Sequence, residues 1–350
     1  MKSLNGLGLD AEMAMRLLVF FTVVAFGVCA SGVVLAELTS SQEAAKSQGI
    51  FFYNMRRGSE AEPLLELAAR AGDRDSQYFL GEFKRSQRFR VDSEARYWYE
   101  QAAHQGDVYA MMRLITSSDQ NCRILQNCAA TTRSPHEWLE SALTLGKERA
   151  QRGDGEAMFQ LYWITQSFYW LEKSAKSGFP EAQLRLASEY SKGKGFFLFH
   201  GRRLRAIDGL VTASAEAGYI PAMEVILAKV IRRNNQKAVA YWLEKLTDEG
   251  SLVGIVLSSV AMAHLSDEFR HPLDLVKAYG LALVATQTER SDYRARANEL
   301  VAQISEKMTP DQIKSGTAYA ENWKASHKPV SDFSPRYEYE FPKLRQQFGG

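Results

Sequence analysis

Six glycines set the register of this chain. Gly72, Gly106, Gly153, Gly178, Gly218 and Gly250 follow one another at intervals of 34, 47, 25, 40 and 32 residues, about 36 on average. That period belongs to stacked repeats rather than to one globular core. Three residues before the glycines stand Ala69, Ala103, Ala150, Ala175, Ala215 and Thr247. Four residues after them stand Ser76, Ala110, Ala157, Ala182, Ala222 and Gly254. Large residues lie eight before (Leu64, Trp98, Leu145, Trp170, Leu210, Trp242) and eight after (Leu80, Leu114, Leu161, Leu186, Ile226, Ser258). Each offset has a steric reason. The glycine ends a helix in the left-handed region without a Cβ clash. Small residues on facing turns let two helices approach closely, and the large ones fill the wider part of the same seam. Asp73, Asp107 and Asp154 follow their glycines and are placed to cap the next helix, whereas Phe179, Tyr219 and Ser251 stand there in the later copies.

The first helix of the pair also recurs as a word. Tyr97-Trp98-Tyr99-Glu100, Tyr169-Trp170-Leu171-Glu172 and Tyr241-Trp242-Leu243-Glu244 are 72 residues apart, two repeats each time. An aromatic stripe of this kind is expected to be the packing surface between neighbouring repeats rather than a ligand cage. The segments from Tyr97 to Asp107 with Ala110 and Leu114, and from Tyr169 to Gly178 with Ala182 and Leu186, resemble the Sel-one-like repeat, a family of tetratricopeptide-like helical hairpins. The resemblance spans roughly residues 60 to 325. It implies an all-α fold, a right-handed α-solenoid of antiparallel helix pairs.

Two departures stand out. Trp138 to Gly153 is 15 residues, against eight from Trp170 to Gly178, so seven extra residues, two helical turns, are expected in the third hairpin. The glycine-rich connector of the family is altered to Gly193-Lys194-Gly195-Phe196-Phe197-Leu198-Phe199-His200-Gly201-Arg202-Arg203. The array divides the chain into residues 1–36, a leader; 37–325, the solenoid; and 326–350, a tail. Residues 40–56 read as a lead-in helix and 273–307 as another helical pair. Thr309-Pro310-Asp311-Gln312 opens a final helix, with Thr at the cap and Pro in the first turn. The tail carries Pro329, Pro335 and Pro342 with Phe333, Tyr337, Tyr339, Phe341 and Phe348. So aromatic a segment is expected to pack along the solenoid or onto a partner.

The leader holds an uncharged run, Leu17 to Ala36, behind Arg16. That is the layout of a secretion signal, with cleavage before Glu37 as one reading. At about 20 residues it also matches a bilayer's hydrocarbon thickness, so an uncleaved inner-membrane anchor is the other. Met13 and Met15 offer alternative starts, and the bulky Val28 before Cys29 is a poor lipidation match. Both readings place the rest of the chain in the periplasm. In that oxidising compartment Cys122 and Cys128 are expected to form a local disulfide worth about 2 kcal/mol on the chain-entropy account, with two free thiols as the alternative.

Chemistry is sparse. The six histidines form no zinc-protease motif: His136-Glu137 is followed by Trp138-Leu139-Glu140. There is no nucleophile elbow and no P-loop, Gly193-Lys194-Gly195 lacks a third glycine, and Asp73-Arg74-Asp75 lacks the other ligands of a calcium loop. No enzyme activity, cofactor or metal is therefore expected. The 43 Lys and Arg balance 41 Asp and Glu, which leaves no electrostatic footprint for nucleic acid. What stands above background is a basic-aromatic group, Phe196, Phe197, Phe199, Arg202, Arg203 and Arg205, residue types enriched in interface hot spots. It suits a protein partner or membrane phosphates, or it packs the connector. Replacing Phe197 and Arg203 together is expected to weaken binding without loss of helix. The resemblance to exported Sel-one-like proteins implies a non-catalytic protein-binding role. Its sharpest form is an immunity protein that neutralises a type VI secretion effector such as a phospholipase; an envelope scaffold for polysaccharide export or cell-wall assembly is the alternative.

Overall fold

The computed structural model describes residues 37–88, 91–116, 133–266, 271–288, 290–327 and 330. Cys122 and Cys128, the run Leu17 to Ala36, and all of the tail beyond Val330 lie outside the described residues. From Leu38 onward the described chain is one unit. It is all-α, with sixteen helices among the described residues.

The lead-in helix α1 (Ser40–Asn54) is followed by seven pairs. These are α2 (Gly58–Arg70) with α3 (Arg74–Arg88), α4 (Ser93–His104) with α5 (Val108–Thr116), and α6 (Pro135–Gln151) with α7 (Gly155–Thr165). Then come α8 (Phe168–Lys176) with α9 (Pro180–Ser191), α10 (His200–Glu216) with α11 (Ile220–Arg232), α12 (Gln236–Asp248) with α13 (Leu252–Met262), and α14 (Leu275–Ala285) with α15 (Ser291–Ser305). Helix α16 (Pro310–Ser326) closes the array. From α1 to α15 each helix packs on its chain neighbours, whereas α16 packs on α14.

The turns obey the glycine rule. Gly72, Gly106, Gly153, Gly178, Gly218 and Gly250 take φ between 78° and 97°. Asp73, Asp107 and Asp154 cap the helices that follow, accepting from the amides of Ser76, Ala110 and Ala157 at 2.7, 2.9 and 3.0 Å. Phe179 and Tyr219 have no side-chain cap. A proline in the first turn, Pro180 or Pro221, removes one of the orphan N–H groups instead. Ser251 restores a cap, accepting from Gly254 at 3.1 Å.

The seams are built from the small residues. Ala69, Ala103, Ala175, Ala215 and their partners Ser76, Ala110, Ala182, Ala222 are all buried, with Leu80, Leu114 and Leu161 wholly enclosed beside them. In the sixth copy a larger Thr247 faces Gly254. The Thr247 and Ser258 hydroxyls satisfy each other at 2.8 Å, so the seam stays free of orphaned polar atoms there. The third hairpin carries its extra length as one helix, α6, of 17 residues. Trp138 and Gly146 are both buried, and the missing Cβ of Gly146 makes room for Leu161, whose Cδ2 would lie 3.0 Å from it. A second close approach seats α16: a Cβ on Gly280 of α14 would come within 2.8 Å of the Gly316 carbonyl oxygen.

The core runs as clusters along the stack. One spans the first three pairs, from Ala61 to Ile164, and another spans the last three pairs and α16. Between them α7 and the fourth pair share a smaller group around Phe159, Leu171 and Leu186. Phe51 and the buried Met55, at the end of α1, belong to the cluster of the last helices, as does Val330. The first and last elements thus share one apolar core.

Candidate interaction surface

The aromatic word divides into two jobs. Trp98 and Trp242 are buried and Trp170 half-buried, all in the seam between pairs. Their neighbours Tyr97, Tyr169 and Tyr241 are 44–54% exposed. Each tyrosine stands edge-on to its tryptophan, at centroid distances of 4.9, 5.1 and 5.1 Å. In the later two copies a lysine one turn on covers both rings: Lys173 lies 5.0 Å from Tyr169 and Lys245 lies 5.0 Å from Tyr241. Glu216 receives both Lys245, at 2.5 Å, and the Tyr241 hydroxyl, at 3.2 Å. The result is a set of braced, half-exposed tyrosines at equivalent positions two repeats apart. Sequence alone predicts packing for the whole stripe. The missed signal was one of register: tryptophan sits eight residues before the glycine, at the seam position, and tyrosine nine before, a turn of about 100° away.

The connector from Lys192 to Phe199 is pinned from beneath. Arg203 donates to the carbonyls of Tyr190, Lys194 and Gly195 at 3.0, 2.8 and 3.2 Å. Its guanidinium also lies 4.9 Å from the Phe197 ring, which meets Tyr190 edge-on at 4.9 Å. Gly195 is at φ 77°, and a Cβ there would meet the Tyr190 ring at 2.8 Å. At the other end Glu189 binds Lys194 at 2.5 Å, Arg185 at 3.1 Å and Lys192 at 3.4 Å. Burial pushes the Glu189 carboxyl up, but Lys194, Arg185 and Lys192 together hold it below the ordinary carboxylate range.

This pinning splits the predicted basic-aromatic group. Phe197 and Arg203 are half-buried and hold the connector, Phe197 against Tyr190 and Arg203 through three carbonyls. Phe196, Phe199, Arg202 and Arg205 are exposed, and they are joined by Leu198 and Leu204, which sequence reasoning passed over. Phe196 and Leu198 are 88% and 70% exposed. Arg202 lies 5.6 Å over the Phe199 ring. Replacing Arg203 with alanine is expected to leave helical circular dichroism unchanged while speeding proteolytic nicking at 192–199 about tenfold, the loss of one to two net kcal/mol of hydrogen bonding. An unchanged nicking rate would mean that the connector is held without it.

The deepest polar group lies elsewhere. Glu82 of α3 accepts from Arg113 of α5 at 2.6 and 3.1 Å, from the Tyr99 hydroxyl of α4 at 2.7 Å and from Arg85 at 2.8 Å. Glu82 and Arg113 are both buried. Burial pushes the Glu82 carboxyl up; Arg113 and Arg85 outweigh it and hold the group below the ordinary range. Burial likewise lifts the Tyr99 and Tyr78 hydroxyls well above theirs. One carboxylate thus serves two guanidinium groups and a hydroxyl from three helices, so the group reads as a tie between two hairpins. Among the described residues no group of three or more His, Cys, Asp or Glu is arranged to hold a metal ion, and no helix is long and apolar enough to cross a membrane.

Against known proteins, the Sel1 repeat family model matches residues 74–107, 164–179 and 180–198. The first segment covers α3, α4 and the turn after it; the other two cover α8, α9 and the start of the connector. These segments are similar to Sel1 repeats, and proteins of this repeat class are generally protein-interaction scaffolds. Two solved structures are similar. One is c5321, a protective antigen present in uropathogenic Escherichia coli strains displaying an SLR fold, at 16% identity and a TM-score of 0.42 over 89% of this chain. This chain covers 64% of that one, less than two thirds of its length. The other is a Sel1 repeat protein from Oxalobacter formigenes, at 19% identity and a TM-score of 0.39, covering 82% of this chain and 84% of that one. No curated protein matches the chain in sequence.

Proposed function

We propose that this chain is a non-catalytic protein-binding module of the periplasm, exported or anchored by Leu17 to Ala36. In its most specific form it is an immunity protein that binds and neutralises a type VI secretion effector such as a phospholipase. The observation that carries the binding role is the set of braced tyrosines, Tyr97, Tyr169 and Tyr241, at equivalent positions on α4, α8 and α12. Tyrosines held by packing beneath them offer large contact area at little ordering cost. The pattern repeats every second pair, which suits a partner that runs along several repeats rather than one that enters a pocket. Periplasmic residence and the effector are supported by the leader and by the resemblance to exported repeat proteins.

Two measurements test this. The mature protein, purified from the periplasm, is expected to bring down one secreted effector, and a deletion strain is expected to become sensitive to that effector. Equal resistance to every neighbouring toxin would sink the immunity role, and recovery of polysaccharide-export components instead would make the chain a scaffold. Replacing Tyr97, Tyr169 and Tyr241 with alanine is expected to weaken the captured complex about 100-fold or more, since one interface hot spot is worth about 2 kcal/mol. Unchanged affinity with unchanged helicity would remove this surface from the binding role.

A further inference from the structure

We propose that the connector and the first turns of α10, residues 192–205, form a docking surface for an anionic phospholipid bilayer. This goes beyond the protein-binding role, and it uses a surface distinct from the tyrosines. Three observations converge on it.

The first is exposure. Phe196, Leu198 and Phe199 stand out of the connector, and Leu204 follows on α10. These large apolar side chains protrude; they do not line a groove. A protein partner would need a pocket shaped to receive them, whereas the interfacial zone of a bilayer accepts Phe and Leu side chains anywhere along its plane.

The second is charge. From residue 189 to residue 205 the chain carries Lys192, Lys194, Arg202, Arg203 and Arg205 against the single carboxylate Glu189. The first turn of α10 holds no acid. The next carboxylate, Asp208, is paired with Lys229 at 2.7 Å. Arg202 and Arg205 are exposed beside the apolar tips, so the patch pairs an apolar edge with a cationic border. Apolar insertion flanked by cations is the pattern that binds anionic lipid headgroups.

The third is rigidity. Arg203, Glu189 and the Phe197–Tyr190 contact fix the connector from within, so its tips are presented without an ordering cost on docking. The sequence seen alone mixed the two sets of residues. The structure sorts them into a base of Glu189, Phe197 and Arg203 and a working edge of Phe196, Leu198, Phe199, Arg202 and Arg205.

The test is hydrogen–deuterium exchange on the full chain, read peptide by peptide. The leader would bring the chain to any vesicle, and a local readout separates that from docking of the connector. With phosphatidylglycerol vesicles, peptides covering 192–205 are expected to become protected. With phosphatidylcholine vesicles they are expected to exchange as in free solution, and raising the salt is expected to erase the protection. The protection is expected to be lost in F196S/L198S/F199S and in R202E/R205E. All five positions are exposed, so unchanged circular dichroism certifies the fold of both variants. Unprotected amides with phosphatidylglycerol, equal protection on both lipids, or protection retained by both variants would each overturn the proposal. So would protection that grows with protein concentration alone, which would assign the patch to a second copy, or protection conferred by a purified protein partner and not by vesicles. Loss of the tyrosine-dependent complex leaves this result untouched, so the two roles fail separately.

Discussion

Replacing Glu82 with leucine will destabilise the first two hairpins by about 3–5 kcal/mol, the cost of leaving a buried charge without its partner. The charge in question is Arg113, enclosed with Glu82 and joined to it through two guanidinium nitrogens, Nε and Nη2. Arg85, the second cation on Glu82, reaches solvent more readily and loses less. The double variant Glu82→Leu with Arg113→Met is expected to recover most of the loss, because an apolar pair of similar volume removes both desolvation costs. The pH dependence has a definite sign. The folded carboxyl lies below its unfolded value of about 4.3, so its contribution is fully present above that pH and is lost as pH falls through the folded value. The gap between wild type and Glu82→Leu should therefore be widest at neutral pH and should narrow in acid below about pH 4. Chemical denaturation across that range, with exchange at α3 to α5 to localise the loss, checks all three statements. A gap that stays constant from pH 7 to pH 3 would refute the assignment of the stability to the ionised carboxylate.

This tie shows what a single string of residues conceals. Glu82 and Arg113 are 31 residues apart, in different pairs, and each is an ordinary helix-surface type in the sequence. No periodicity marks them, because the contact depends on where two hairpins stack and not on a repeated spacing. The seam residues are the opposite case. Ala103 and Ala110, or Ala215 and Ala222, obey a steric rule that recurs in every copy, so offsets from the glycines were enough to place them. The surface fell between these extremes. Tyr97 and Trp98 are adjacent, and only the rotation of the helix decides which is buried. Phe196 and Phe197 are adjacent in a connector with no helical period, and it is Tyr190 and Arg203 that draw Phe197 inward. Met55 joining the core of the last helices depends on the path of the whole array. Local rules reach as far as the pair of helices; contacts between distant pairs depend on every seam between them.

The seams can be tested with one substitution of opposite sign at two glycines. Gly254 and Gly209 both lie inside helices, α13 and α10, where alanine is intrinsically favoured by about 1 kcal/mol. At Gly209 an added Cβ meets nothing within 4 Å, and the residue is exposed. Gly209→Ala is therefore expected to stabilise the fold by about 0.5–1 kcal/mol. At Gly254 the same Cβ would lie 2.5 Å from Leu246 Cβ, 2.8 Å from the Leu246 carbonyl carbon and 3.0 Å from the Thr247 amide nitrogen. Those atoms are mainly backbone and cannot rotate away, so α12 and α13 must separate along their length. Separation also pulls Ser258 from Thr247, which keeps its bond to the Leu243 carbonyl of its own helix while Ser258 loses its 2.8 Å partner. Gly254→Ala is expected to destabilise by about 1–3 kcal/mol despite its better helix propensity. Because stability in a repeat array is carried by neighbouring interfaces, the loss should appear first as faster exchange in α12 to α14 and only later as a fall in the whole unfolding transition. If both variants shift stability in the same direction, helix propensity rather than the spacing of the seam governs these positions, and close packing through small residues is not what holds the pairs together.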